Sequence, residues 1–112
     1  MKKIKGNITA QLQTKTGTVK NEIGEVVSKW ETTYTLVGFL DLSSGDSKYS
    51  SYNAKIQEST HIFVCNYHEL TAVTAENSRL IINGKVYDVM LIDDPMELHY
   101  QLEFYLKFTG GQ

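Results

Sequence analysis

The sequence predicts an all-β protein, a single-domain small β-barrel of six to seven mostly antiparallel strands with one long polar loop. The first observation is Asn83-Gly84 between two apolar runs. This is a strong hairpin signal because both central residues of a type I′ turn need positive φ. The second is the alternation of apolar and polar residues from Leu98 to Phe108, which is typical of a strand with one buried face. Strands at this spacing favour a closed or nearly closed barrel, because closure hides their edges.

The N-terminal third is predicted to form two strands. Alternation from Ile8 to Thr14 indicates a first strand of about eight residues, and the polar segment 17–25 indicates a long hairpin connection. The segment from Val26 to Asp41 is rich in β-branched and aromatic residues. It therefore predicts a second strand, with a bend or bulge near Thr35 to Gly38 because the run exceeds a usual strand length. One face of that strand is formed by Val26, Ser28, Trp30, Thr32, Tyr34, Leu36, Gly38, Leu40 and Leu42.

Segment 43–59 is polar, turn-prone and longer than most connections in compact domains, which are usually functional or disordered at this length. A short helix starting near Ser47 is one interpretation, although its apolar stripe is thin. Its tyrosines suit either base stacking or a protein interface, and we favour the interface because the flanking residues are not basic overall. The predicted interface or channel-loop residues are Asp46, Lys48, Tyr49, Tyr52, Asn53 and Lys55.

The second half is predicted to hold a central strand from Thr60 to Tyr67, apolar on both faces, followed by a connection from His68 to Ser78 and the Asn-Gly hairpin. The turn fixes the hairpin register. It places Ile81 opposite Val86, Leu80 opposite Tyr87, and Arg79 opposite Asp88 as a cross-strand ion pair. The core face of the closing strand is predicted to be Leu98, Tyr100, Leu102, Phe104, Leu106 and Phe108.

Composition sets limits on the class of protein. The chain has 112 residues, 41% hydrophobic and 21% charged, which is ordinary for a globular domain able to fold without disulfides. No apolar run approaches a membrane span and no signal-peptide pattern opens the chain, so no membrane contact is expected. The single cysteine, Cys65, excludes an internal disulfide and favours a reducing, cytoplasmic site of synthesis.

Charge is unevenly distributed, although the net value is only −2. Residues 1–20 contain five lysines and no acidic residue. One interpretation is a solvated terminus, and the other is a basic arm that meets an acidic partner or DNA phosphates. The candidate basic-arm residues are Lys2, Lys3 and Lys5.

No catalytic, cofactor or metal site is predicted. His61, His68 and His99 lack the spacing of a helical histidine pair, and one cysteine completes no familiar zinc pattern. Asp93-Asp94-Pro95 suggests a divalent metal or, more simply, a charged turn that stops a strand. No nucleophile elbow, P-loop or dinucleotide fingerprint is present. We therefore expect a protein that is not an enzyme.

Four stretches of the chain occur in an order that is typical of one protein family. The first is Thr14-Lys-Thr-Gly17 followed by Gly24 and Trp30, and the second runs from Glu58 through the Thr-His pair to Tyr67. The third is Arg79 to Tyr87, and the fourth is Leu98 to Phe108. Together they resemble the phage head–tail joining family, the head-closure or stopper proteins of tailed phages, and in particular versions from Bacillus-type defective prophages. The third stretch is similar to that family's Arg-x-x-x-x-(Asp/Asn)-Gly-x-x-Tyr hairpin, with one fewer residue between Arg and Asn.

The resemblance implies a structural β-barrel that forms part of the head–tail connector in the virion or a phage-like particle. Copies would self-associate into a ring on assembly, close the DNA-filled head below the portal or adaptor, and offer a surface to a tail-side protein. Contact with packaged DNA in the channel would follow, and assembly would take place in the host cytoplasm. The alternative prediction is an OB- or SH3-like binding module for single-stranded nucleic acid, which a steep salt dependence of binding would favour.

Overall fold

The computed structural model of the protein describes residues 6–42 and 58–109. In these ranges the chain forms six β-strands and one short 3₁₀ turn at Pro95–Glu97. The strands are β1 (Ile8–Lys20), β2 (Val26–Leu42), β3 (His61–Asn66), β4 (Ser78–Ile82), β5 (Lys85–Asp93) and β6 (Gln101–Phe108).

The six strands close into one antiparallel barrel in the order β1-β2-β3-β6-β5-β4. Closure is made by β1, which pairs with β2 on one side and with β4 on the other. The apolar strand β3 lies between β2 and β6, as its two apolar faces predict. The predicted all-β barrel is therefore confirmed, with six strands.

The barrel interior is filled by alternate residues of every strand. Phe63 of β3 and Phe104 of β6 are fully buried, and their ring centroids lie 6.2 Å apart in a tilted arrangement. Other members of this core are Ala10, Leu12, Leu36, Cys65, Leu80, Ile82, Tyr87, Val89, Leu102 and Leu106. Burial of these side chains is the main force that holds the barrel closed.

The β4–β5 hairpin has the predicted turn and register. Asn83 and Gly84 have φ values of 53° and 77°, so both central residues occupy the left-handed region that a type I′ turn requires. The cross-strand partners are Arg79 with Asp88, Leu80 with Tyr87, and Ile81 with Val86.

The first hairpin is longer than predicted. β1 has 13 residues rather than about eight, and the connection shrinks to a tight turn at 21–25. The reason is local, because the side chain of Asn21 organises the turn: the backbone amides of Ile23 and Glu25 donate to Asn21 Oδ1 at 3.1 and 3.0 Å. The strand pairing can therefore continue to Lys20 without burial of apolar side chains.

The irregularities of β1 and β2 lie outside the predicted region. The register shifts between Leu12 and Gln13, which leaves Thr33 as the extra residue of β2, and again between Lys15 and Gly17. Pairing is continuous through 35–38, so the bulge of β2 lies at Thr33, two residues before the range predicted for a bend or bulge. Gly38 has a different purpose: a Cβ at this position would collide with the carbonyl oxygen of Val64 on β3.

The closing strand begins later than predicted. Leu102, Phe104 and Leu106 are buried as expected, but Leu98 and Tyr100 precede β6 and are exposed. The chain first passes through the 3₁₀ turn, which separates those two side chains from the alternating pattern. Phe108, at the exposed end of the strand, instead meets the His61 ring edge to face and the Tyr87 ring in a tilted arrangement.

Candidate assembly interface

The site residues predicted from the sequence lie outside the described residues. These are Asp46, Lys48, Tyr49, Tyr52, Asn53 and Lys55 of the polar loop, and Lys2, Lys3 and Lys5 of the N-terminus. The described residues contain a different candidate, formed by the projecting part of the first hairpin and the two connections beside its base.

The first hairpin extends beyond the barrel wall. β1 pairs with β4 only as far as Thr14 opposite Ser78, and β2 pairs with β3 only from Gly38 onward. Beyond Thr14 the two strands pair only with each other among residues 6–42 and 58–109, and we call residues 15–31 the arm. The arm contributes to the elongated shape of the molecule, 49 × 27 × 24 Å. A two-stranded ribbon of this kind is marginally stable alone, so its base needs support.

The tip of the arm exposes several aliphatic side chains among charged ones. Ile23 in the turn is 79% exposed and Val26 is 65% exposed, and Val19 and Val27 are also exposed. Cross-strand pairing places Val19 beside Val27 on one face of the ribbon, and Lys20 beside Val26 on the other. Exposed aliphatic side chains clustered on a projecting ribbon are typical of a protein–protein contact.

The base of the arm is fixed by Trp30. The guanidinium carbon of Arg79 lies 4.3 Å from the centroid of the Trp30 ring, and Lys15 Nζ lies 5.4 Å from it. Arg79 Nε also donates to Gln13 Oε1 at 2.9 Å. Partial burial lowers the pKa of Arg79, and the nearby carboxylate of Asp88 opposes that effect. The barrel wall thus supports the arm through one stacked cation and its hydrogen bond.

The connection between β3 and β4 braces the same region. The backbone amide of Thr71 donates to the Tyr34 hydroxyl at 3.0 Å, and the Tyr34 and His68 rings meet edge to face at 5.0 Å. The amide of Lys15 donates to the carbonyl of Asn77 at 2.8 Å. Segment 67–77 therefore packs against the point where the arm leaves the barrel.

The connection between β5 and β6 is a second exposed apolar feature. Met96 is 85% exposed, and Leu98 and Tyr100 are exposed beside it. Met96 and His99 have φ values of 56° and 58°, a left-handed conformation that is uncommon outside glycine. Asp94 holds the turn, since its carboxylate accepts from the His99 amide at 3.0 Å and contacts the His99 imidazole.

Strand direction brings these features to one end of the barrel. β1 runs toward the arm, and the antiparallel pairing places the last residues of β3 and β5 and the first residues of β4 and β6 at that same end. We call this the arm end. A cavity of about 440 Å³ opens there between segment 67–77 and β5. Its lining residues are Tyr67, His68, Leu70, Val73, Thr74, Ala75, Glu76, Met90, Leu91, Ile92, Asp94 and Leu102.

His61 and His68 make local hydrogen-bond contacts, and Cys65 is buried in the core. His61 Nδ1 lies 2.8 Å from Thr60 Oγ1, and His68 Nδ1 lies 3.1 Å from the Glu69 carbonyl oxygen. Burial raises the pKa of Cys65 to about 11, which disfavours the nucleophilic thiolate at neutral pH. Within the two described ranges, no three His, Cys, Asp or Glu side chains converge as metal ligands. The chemistry that this arrangement offers is binding through aliphatic, aromatic and charged side chains.

Sequence reasoning missed the arm because it treated segment 17–25 as a loop. A signal was available: Thr18 to Lys20 and Val26 to Ser28 are β-prone on both sides of Asn21 and Gly24. Neither side shows a clear alternation between apolar and polar residues, because the ribbon has no buried face, and a segment without such periodicity is readily taken for a loop.

Comparison with known proteins places the chain in a family. A search of curated proteins gave no match. The solution structure of protein SF1141 from Shigella flexneri 2a is similar in fold, with a TM-score of 0.67 and 18% sequence identity over 100% of both chains. Among residues 6–42 and 58–109, no helix is long and apolar enough to cross a lipid bilayer. The family model described as Phage head completion protein matches residues 1–107. The chain therefore belongs to the phage head completion protein family and is a structural protein of the phage head.

Proposed function

We propose that the protein is a connector subunit that closes the DNA-filled head below the portal or adaptor and provides a surface for the tail. Family membership supports a role in completing the head. The observation that carries the finer proposal is the arm end, where a ribbon with exposed aliphatic side chains at its tip and an exposed strained turn project from a closed barrel. Exposed apolar side chains lie at the arm end and also at Leu42 and Phe108 near the opposite end, which suits a subunit that joins two structures stacked along an axis.

The barrel and the arm have complementary parts in this proposal. In the closed barrel every strand pairs with a neighbour on both sides over part of its length, which limits uncontrolled pairing with other chains. The arm has edges that pair with no other strand of the described chain, and its tip exposes aliphatic side chains. Repetition of one heterologous contact around an axis closes into a ring. Each contact can be weak, because simultaneous contacts to neighbours and to the portal side add by avidity.

The polar loop is the proposed channel or neighbour contact. Its length, its polarity and its tyrosines support this role for Asp46, Lys48, Tyr49, Tyr52, Asn53 and Lys55. Lys2, Lys3 and Lys5 are proposed to meet an acidic partner or the phosphates of packaged DNA, because residues 1–20 contain no acidic residue. The family match gives no support to the alternative prediction of a single-stranded nucleic-acid module.

An add-back assay on phage heads tests the proposal. Heads filled with DNA in a lysate that lacks this chain are treated with nuclease, with or without the purified full-length protein. We expect heads without the added protein to lose their DNA to the nuclease and to remain tailless. The added protein should restore both DNA retention and tail joining. Heads that retain DNA and accept tails without the chain would contradict a closing role.

A further inference from the structure

We infer that the turn between β5 and β6, residues 94–100, is a two-state lid. In the outward form, which the structure shows, the turn exposes Met96, Leu98 and Tyr100 and leaves the cavity at the arm end open. In the inward form, Leu98 lies in that cavity. The inference rests on the proposed function for its purpose, since the outward form would supply an apolar surface for docking and the inward form would withhold it.

The outward form has a backbone conformation that its residue types disfavour. Met96, Glu97 and His99 have φ values of 56°, 55° and 58°, a left-handed region that is strained for residues with a Cβ. Met96 follows Pro95 in a turn closed by a hydrogen bond of 2.8 Å from the Glu97 amide to the Asp94 carbonyl. A residue with positive φ at that position is normally glycine. A rearrangement of the turn would release this strain.

Asp94 holds the strained backbone in place. Its carboxylate accepts from the His99 amide at 3.0 Å and contacts the His99 imidazole, and the imidazole centroid lies 4.5 Å from that of the Tyr67 ring. The imidazole is largely exposed, so these contacts compete with water and oppose the strain only in part. The balance between the two forms therefore depends on one carboxylate and a few backbone angles.

The alternation of the sequence fits the inward form. The side chains at 96, 98 and 100 are apolar and share the parity of Leu102, which is buried and lines the cavity. If the extended backbone of β6 began at residue 96, these side chains would lie on the cavity side of the sheet. The carboxylate of Glu97 would then face solvent on the other side.

The sheet already continues in this direction. The Tyr67 amide donates to the Tyr100 carbonyl at 3.1 Å, one residue beyond the end of β3 and one residue before the start of β6. Only residues 95–99 therefore need to rearrange for β6 to lengthen toward its N-terminus.

The cavity is within reach of Leu98 and suits it. Asp94 and Leu102 both line the cavity, and Leu98 lies four residues from each of them along the chain, a span of at most roughly 14 Å. The cavity volume of about 440 Å³ is that of a small-ligand pocket, so it accommodates a leucine side chain. Its wall includes Val73 and Ile92, and burial of an exposed leucine among aliphatic groups is favourable.

Methyl relaxation-dispersion NMR on the full-length protein tests for the two forms. The probes are the methyl groups of Leu98, Val73 and Ile92, and the control is Leu106, which is fully buried near the other end of β6. We expect the three probes to exchange with one common rate on the microsecond-to-millisecond timescale, and Leu106 to show no such exchange. Exchange at Leu98 without exchange at the cavity wall would overturn the inference.

Two substitutions of one residue change the balance in a defined direction. Glu97→Gly and Glu97→Ala remove the same carboxylate, but only glycine adopts the left-handed conformation without a steric penalty. The ratio of inward to outward form should therefore be roughly tenfold lower in Glu97→Gly than in Glu97→Ala. Asp94→Ala removes the contacts that hold the outward form, so it should give nuclear Overhauser effects between the methyl groups of Leu98 and Ile92. Equal ratios in the Glu97 pair, or no such effects in Asp94→Ala, would count against the lid.

The add-back assay separates this inference from the proposed function. Only the outward fraction would dock, so Asp94→Ala should need at least about fivefold more protein than the parent to restore DNA retention. Addition of Glu97→Gly to Asp94→Ala should recover much of that loss, and addition of Glu97→Ala should not. If Asp94→Ala completes heads as well as the parent, the lid does not control docking and the closing role stands. If the parent itself has no effect on heads, the proposed function fails, whereas the NMR result on the two forms is unaffected.

Discussion

The Arg79 guanidinium carbon lies 4.3 Å from the centroid of the Trp30 ring, so a cation from the barrel wall supports the base of the arm. Arg79 Nε also donates to Gln13 Oε1, and Asp88 is its cross-strand partner in the hairpin. Arg79 lies on β4, and its partners Gln13, Trp30 and Asp88 come from β1, β2 and β5. This relationship connects the Asn-Gly hairpin, the most predictable part of the chain, to the arm.

Loss of the stacked cation should loosen the arm more than the barrel. Arg79→Gln removes a cation–π contact worth about 1 kcal/mol at a partly exposed site, together with the Nε hydrogen bond. We expect a small fall in the urea midpoint and faster hydrogen exchange at the arm amides, 16–20 and 26–29. Unchanged exchange in the arm would show that Trp30 is held by other contacts.

Phe104→Ala should be the most damaging single substitution in the closing strand. Phe104 is fully buried against Phe63, and removal of such a ring costs about 3–5 kcal/mol. Denaturant unfolding measures the loss, and Lys107→Ala on the exposed side of the same strand is the control that should change stability little. A Phe104→Ala variant as stable as the parent would contradict the assignment of the core.

Cys65 should make stability fall at alkaline pH. Burial raises the pKa of its thiol from 9.0 to about 11 in the folded chain. Between these pH values the unfolded chain has lost the thiol proton while the folded chain keeps it, so the unfolded state binds fewer protons and the free energy of unfolding decreases as pH rises. The effect is absent below about pH 9 and reaches about 2–3 kcal/mol above pH 11.

Comparison with Cys65→Ala isolates this effect from the titration of lysines and tyrosines. The variant should be less stable than the parent at pH 7 because the sulfur leaves a small cavity. The difference between the two proteins should narrow as pH rises from 8 to 11 in urea unfolding. A difference that stays constant would show that the thiol titrates alike in both states.

Replacement of 46–53 by a short Gly-Ser linker should separate folding from assembly. We expect the melting temperature to change little, because a change of loop length costs little closure entropy. The same variant should leave heads that leak DNA or lack tails in the add-back assay. Unfolding of the variant would place the segment in the core, and normal assembly would move attention to Lys2, Lys3 and Lys5.

The sequence was most informative where side-chain burial and backbone chemistry coincide. Asn83-Gly84 specified both the turn and the register of β4 and β5, and alternation identified Leu102, Phe104 and Leu106 as core. The sequence was least informative about the arm, where hydrogen bonds rather than buried side chains determine the structure. The arm has no buried face, and its length depends on Asn21 accepting two amides, a contact that leaves no hydrophobic pattern.

The candidate interface was hidden for a related reason. Leu98 continues the alternating pattern of β6 by parity alone, but the left-handed backbone of Met96 and His99 redirects the chain and leaves Leu98 exposed. The cavity beside this turn is lined mainly by residues from two connections and from β5. Barrel closure brings these residues together, and no local sequence motif predicts that they are close.

A cryo-electron microscopy reconstruction of the portal vertex, from particles completed with the full-length protein, tests the central claim most directly. We predict a ring of these barrels between the portal or adaptor and the tail, with the channel closed at its level. A vertex with no such ring, or barrels located elsewhere on the particle, would contradict the account.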